Sequence, residues 1–272
     1  MPDPVARQRD VLSALLDVVE SDPRLRWFEL GCSLGRGAGD ALSDIDCGVG
    51  IASGAWPRDA LALADALAAA GGTPIDTMRQ VFPGRGGESC WHVFTLYANG
   101  TQLSLVLTPA AWATGLRPGS VALYDADGLL ATPVRPPAAD ATPQMLHEWA
   151  ALAWIALGDL AKYLDRGSLW EALERLHTAR GELFKLWAAG SKIDFPGYGL
   201  TALLDDRDGE SGLPPGVTRT VASLDATDLR RAACATADLL TIAVSRIRPA
   251  LTSATLDAPD GLRTWVLQRL AG

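Results

Sequence analysis

Lysine is nearly missing from this 272-residue chain: only Lys162, Lys185 and Lys192 occur, and the net charge is −8. A sequence-independent nucleic-acid binder draws its affinity from phosphate neutralisation by a basic face. No long basic run is present, so that class is not expected, whereas an acidic balance permits a cationic small substrate. Cysteine is scarce too. Cys32, Cys47, Cys90 and Cys234 are widely spaced and form no CxxC pair, which argues against a disulfide framework or a structural zinc site. Four reduced, mostly buried thiols are expected instead. The three histidines, His92, His147 and His177, show no metal-ligand spacing. No apolar run approaches the roughly 18 residues that span a bilayer. The opening Met1-Pro2-Asp3-Pro4 lacks the basic and apolar regions of a secretory signal. A soluble, cytoplasmic protein without membrane partners is expected. Nearly half of the residues are apolar, ample for a core in one or two domains.

The front of the chain reads as mixed α and β structure. Val5, Val11, Leu12, Leu15, Leu16 and Val19 have helical spacing over 4–20, with Pro4 at the first position. Residues 26–30 and 45–51 read as strands around a Gly/Ala/Ser-rich loop over 33–43, and 57–70 as a helix closed by Gly71-Gly72. Strands are predicted at 77–83, 91–98 and 101–108. Asn99-Gly100 supplies the hairpin turn between the last two. A short strand over 120–124 follows, then a Pro/Ala-rich linker from Pro133 to Pro143. Beyond it, helices are predicted over 144–164, 168–189, 226–247 and 261–270, with a polar loop over 205–220. The expected organisation is an α/β domain, residues 1–137, with a short mixed sheet, and an all-helical bundle, residues 140–272. The tryptophans of the back half, Trp149, Trp154, Trp170 and Trp187, are expected to anchor its core.

The chemistry concentrates in 30–49. Asp44 and Asp46 stand two apart at the start of a strand, so both carboxylates leave one face while Ile45 and Cys47 point to the core. Two adjacent like charges repel. Mg²⁺ is their natural partner, because it takes carboxylate oxygens and completes its shell with water and phosphates. Just upstream, a strand runs into a small-residue loop that carries Ser33 and Arg36, a hydroxyl and a cation suited to phosphate.

This stretch resembles the signature of the DNA-polymerase-β-like nucleotidyltransferase superfamily: a strand, Gly-Ser, about ten residues, then Asp-hydrophobic-Asp. Ser33-Leu34-Gly35-Arg36-Gly37 and Ser43-Asp44-Ile45-Asp46 carry the likeness. The layout is similar to the small antibiotic-modifying branch, the aminoglycoside and lincosamide nucleotidyltransferases, in which a helical bundle follows the catalytic domain. The resemblance implies an enzyme moving a nucleoside monophosphate, AMP foremost, from a nucleoside triphosphate to a hydroxyl of a small acceptor such as an antibiotic. The acceptor would lie in a cleft between the domains, and the enzyme would be a monomer or homodimer. Asp44 and Asp46 would hold Mg²⁺, and Ser33 and Arg36 would bind the triphosphate. Arg180, on a bundle helix, is a further candidate for reaching the substrate.

The chain departs from the family pattern at two places. Cys32 replaces the first glycine of Gly-Ser. Ser104, in Leu103-Ser104-Leu105, stands where a later strand ordinarily brings a third carboxylate. Glu88, just before the strand that pairs with 101–108, is the candidate base in its stead. Ser104 motivates one alternative, a catalytically degenerate nucleotide-binding regulator; a protein-modifying AMPylator or antitoxin-like protein is the other class left open.

Overall fold

A computed structural model describes residues 3–84, 87–136, 139–205, 212–250 and 253–271. The chain divides into two compact units, residues 1–136 and 137–272.

The first unit is built on six strands: β1 (Leu25–Leu30), β2 (Ile45–Ile51), β3 (Pro74–Pro83), β4 (Ser89–Tyr97), β5 (Gln102–Pro109) and β6 (Val121–Asp125). Their order across the sheet is β3-β4-β5-β2-β1-β6. Only β2 and β5 run parallel among these pairs; the others are antiparallel. The β4–β5 hairpin turns at Asn99-Gly100, where the Asn99 side chain accepts from the Thr101 N–H at 2.9 Å.

Helices α1 (Ala6–Ser21) and α3 (Ala60–Ala70) supply apolar residues to the core on one face of this sheet. Leu15 of α1 and Leu63 of α3 join Ile45, Cys47, Val49, Val93, Leu103, Leu105 and Leu107 there. Those strand positions are alternate ones, as a pleated strand with one buried face requires. The intervening residues of β2 are Asp46, Gly48 and Gly50. The two glycines let β1 side chains lie flat over the sheet: a Cβ at Gly50 would stand 2.0 Å from Trp27 Nε1. Trp27 in turn donates to the Ala110 carbonyl at 3.1 Å.

The second unit contains α4 (Pro143–Asp165), α5 (Leu169–Gly190), α6 (Leu200–Asp205), α7 (Ala226–Ile247) and α8 (Ser253–Ala271). Thr142 caps α4, accepting from the Met145 N–H at 3.2 Å. Asp225 caps α7, accepting from the Asp228 N–H at 2.9 Å. These side chains satisfy amide donors that the helix itself leaves without acceptors. Trp149, Trp154, Leu157, Leu160, Leu176, Leu183, Trp187 and Leu240 lie in its core. Trp170 does not; it is 72% exposed in the first turn of α5. The thiols are likewise divided, with Cys47 and Cys90 buried but Cys32 and Cys234 exposed. No helix among the described residues is long and apolar enough to cross a membrane.

Candidate active site

β1 ends at Leu30 and the chain turns immediately into α2 (Cys32–Gly35), a single turn. The Gly31 N–H donates to the Asp46 carbonyl at 2.8 Å, which fastens the start of this loop to β2 beside the carboxylate pair. Inside the loop the N–H groups of Gly35, Arg36, Gly37 and Ala38 are engaged by the carbonyls of Gly31, Cys32, Leu34 and Ser33. Gly35 is placed where no side chain fits: a Cβ there would lie 2.6 Å from the carbonyl oxygens of both Leu30 and Gly119. Cys32 adopts a φ of +52°, in the left-handed region. L-residues with a Cβ pay roughly 1–2 kcal/mol for that conformation. The loop's geometry is thus the one that glycine suits, held here by a cysteine.

The return of the loop toward Asp44 is fixed from below. Gln8, buried in α1, donates to the carbonyls of Asp40 at 3.2 Å and Ser43 at 3.0 Å. Asp40 closes the turn by accepting from the Leu42 N–H at 2.8 Å. Gln8 was not singled out from the sequence. Its signal is its position in the stripe Gln8, Val11, Leu15 and Val19, a polar residue where the helix is otherwise apolar.

Asp44 and Asp46 both line one cavity of about 350 Å³ on the sheet face opposite α1 and α3. Asp46 pairs in register with Ser104, Ser104 with Phe94, and Phe94 with Met78, so the four form one row across β2, β5, β4 and β3. Asp76 of β3 contributes a third carboxylate to the wall of the same cavity. The Asp44 carboxyl is pushed up from its ordinary value, first by burial and then by the charge of Asp46. That repulsion is the electrostatic mark of two carboxylates sharing a face. Among the described residues, no group of three or more His, Cys, Asp or Glu side chains is arranged to hold a metal ion. A cation here would therefore rest on the Asp44/Asp46 pair and take its other ligands from water or a bound phosphate, which suits Mg²⁺.

Ser104 has a partner that the sequence reading did not anticipate. Its Oγ lies 2.9 Å from Nε2 of His92 on β4. The imidazole packs against Phe94, with ring centroids 3.9 Å apart, and edge-on to Phe82 at 6.4 Å. Burial pushes the His92 pKa down, and the nearby Asp46 carboxylate pushes it up. On the other flank of β2, Glu29 is buried and ion-paired with Arg117.

Ser33 is the second residue of α2, joined to the pair through Gly31 and Asp46, and is half-buried outside the cavity wall. Arg36 follows α2 and is exposed, with its aliphatic stem against Gly119. Glu88 is not brought to this site. It lines a different cavity of about 710 Å³ with Ser53, Trp56, Trp91 and Trp112. Trp91 pairs with Leu107, and Glu88 lies three residues further out. At about 3.3 Å per residue, that is about 20 Å along the strands from Ser104. Glu88 does precede the strand beside 101–108, but at the wrong end, because antiparallel β4 begins where β5 finishes. Glu88 is therefore not the base of this site. Arg180 donates to the Thr220 carbonyl at 3.3 Å within its own unit.

No protein-family model and no curated protein matches this chain. Among solved structures it is similar to the crystal structure of an aminoglycoside 6-adenyltransferase from Bacillus subtilis. Identity is 15%, the match covers 96% of this chain and 98% of that one, and the TM-score is 0.43. A likeness of that degree leaves the chemistry to be argued from the residues of the site.

Proposed function

We propose that this protein is a Mg²⁺-dependent nucleotidyltransferase that moves a nucleoside monophosphate, AMP foremost, from a nucleoside triphosphate to a hydroxyl of a small molecule such as an antibiotic. The observation that carries the reading is the pairing of Asp44 and Asp46 on one open sheet face, beside a loop hydrogen-bonded to Asp46 itself. Asp44 and Asp46 would hold the ion, which when bound neutralises phosphate charge and orients an in-line displacement. Ser33 would donate its hydroxyl to the triphosphate, and Arg36 would add positive charge there. The loop amides of 35–38 are engaged internally, which narrows the phosphate contacts to the Ser33 side chain and the first turn of α2. The acceptor hydroxyl attacks the α-phosphorus, the bond to the β-phosphate oxygen breaks, and pyrophosphate leaves.

The test is incubation with ATP, GTP, CTP and UTP, Mg²⁺ and a panel of aminoglycosides and lincosamides, read by mass spectrometry. Asp44→Asn and Asp46→Asn are each expected to abolish transfer while the protein stays folded. Ser33→Ala is expected to weaken nucleotide binding by about 1–3 kcal/mol, the worth of a hydrogen bond to a charged group. Full transfer by either aspartate variant overturns the reading.

Ser104 favours a second reading, a nucleotide-binding regulator without turnover, since a serine cannot act as a carboxylate base. Mg²⁺-dependent nucleotide binding with no transferred product would select it.

A further inference from the structure

We propose that Ser104 and His92 form a proton relay that takes the proton of the acceptor hydroxyl, replacing a third carboxylate; this rests on the nucleotidyltransferase reading above. Three observations converge on it. First, the parallel register sets Ser104 directly beside Asp46, and both line the cavity that Asp44 shares. A hydroxyl there is placed to touch an acceptor oriented toward the carboxylate pair. Second, Ser104 Oγ is within 2.9 Å of His92 Nε2, the reach of a nucleophile or relay hydroxyl to its base. In the tautomer with its proton on Nδ1, Nε2 accepts from the serine O–H. Third, the ring is held from two sides by Phe94 and Phe82, so Nε2 is aimed rather than free to swing.

The surroundings suit a neutral imidazole that gains a proton. The facing residues are Gln80 of β3, in register with His92, and Ser104 and Val106 of β5, none of them charged. In the metal-free protein burial pushes the His92 pKa down and the Asp46 carboxylate of β2 acts against it. The acceptor oxygen bonds to the α-phosphorus and passes its proton to Ser104 Oγ. The Ser104 proton moves to His92 Nε2, and the electron pair of the broken phosphoanhydride bond leaves with pyrophosphate. Ser104 is regenerated, and the imidazolium releases its proton to solvent. Ser104 is the catalytic residue that touches substrate, while His92 acts through it.

The experiment compares wild type, His92→Gln, His92→Gly, Ser104→Ala and the His92→Gln/Ser104→Ala double variant in the nucleotide and acceptor screen, with nucleotide binding followed by calorimetry. His92→Gln and Ser104→Ala are each expected to lower kcat about 10²–10⁴-fold, with the nucleotide Kd unchanged. The double variant should be no worse than either single, as for groups acting in one unit. Added imidazole should restore turnover to His92→Gly but not to Ser104→Ala, a response that a purely structural histidine would not give. If His92→Gln fails to fold, Ser104→Ala, which removes one oxygen, carries the same test. Wild-type kcat in a folded His92→Gln, or a nucleoside monophosphate found covalently on Ser104, overturns the relay while leaving the transferase reading standing. A wild type that binds no Mg²⁺–nucleotide overturns that reading and the relay together.

Discussion

Glu29 lies across β1 and β2 from Gly48 so closely that a Cβ at Gly48 would stand 2.9 Å from its Oε1 and 3.1 Å from its Cγ. The carboxylate is buried and ion-paired with Arg117, so it cannot simply swing aside. One methyl group here, on the strand that carries Asp46, would push the Glu29 carboxylate away from Arg117.

Gly48→Ala is accordingly expected to destabilise the first unit by about 1–3 kcal/mol, the usual cost of overpacking. Gly54→Ala, where an added Cβ meets nothing within 4 Å, is the matched control and should change little by this mechanism. Urea melts of the two variants check the contrast. Equal midpoints would show that the Glu29 contact yields freely.

Asp44→Asn should raise thermal stability at neutral pH while removing transfer. Burial and Asp46 hold the Asp44 carboxyl above its unfolded value, so its ionisation opposes folding. That penalty is complete above the folded pKa and vanishes below the unfolded one, about 3.9. The gain in Tm over wild type, measured without metal, should therefore be present at pH 7 and disappear toward pH 3. A gain that persists at pH 3 would assign it to something other than charge.

Cys32→Gly tests the left-handed residue at the loop. Relief of roughly 1–2 kcal/mol of backbone strain is offset by about 0.5–1 kcal/mol of glycine chain entropy. A net stabilisation of up to about 1.5 kcal/mol is expected, together with unimpaired nucleotide binding. Cys32→Ala retains the Cβ and should show no such gain. A Cys32→Gly variant less stable than Cys32→Ala would contradict the strain.

Asp228 tests the helical unit by acid. Hydrogen bonds from the Ser223 backbone and hydroxyl, then from Arg231, pull its pKa down to about 2. Its contribution to stability is complete above the unfolded pKa of about 3.9 and is lost as pH falls through the folded value. Asp228→Asn should lower Tm at pH 7 and converge with wild type near pH 2. Parallel curves over that range would show that the α7 start does not depend on this charge.

Much of the fold was readable because its signals are local. The strand 45–51 was bounded by periodicity, the β4–β5 turn by Asn99-Gly100, and the placing of both aspartates on one face by simple alternation. What was not readable depends on register and direction. Nearness to β4 in sequence points to Glu88, yet which end of an antiparallel strand meets the site is settled only by pairing across β5. The Ser104–His92 bond is a diagonal contact between neighbouring strands, and nothing in either strand's own pattern marks it. Residue type alone puts Trp170 in the core, but the helical face that carries it points outward. Helix α8 begins at Ser253, earlier than expected, because Pro259 and Gly261 argue locally against a helix that the longer element overrides.

The parallel junction of β2 with β5 also has a consequence for how the protein assembles. β3, β4 and β5 follow one another antiparallel and can zip from short turns, whereas β2 reaches β5 only by a crossover through α3 and two intervening strands. Contacts between segments distant in sequence bear the larger loop-closure cost and form slowly. The meander is therefore expected to gain protection in pulsed hydrogen exchange before the β2–β5 ladder does. Until that seam closes, Asp46 and Ser104 belong to separate pieces of chain, and the nascent protein has a sheet but no site.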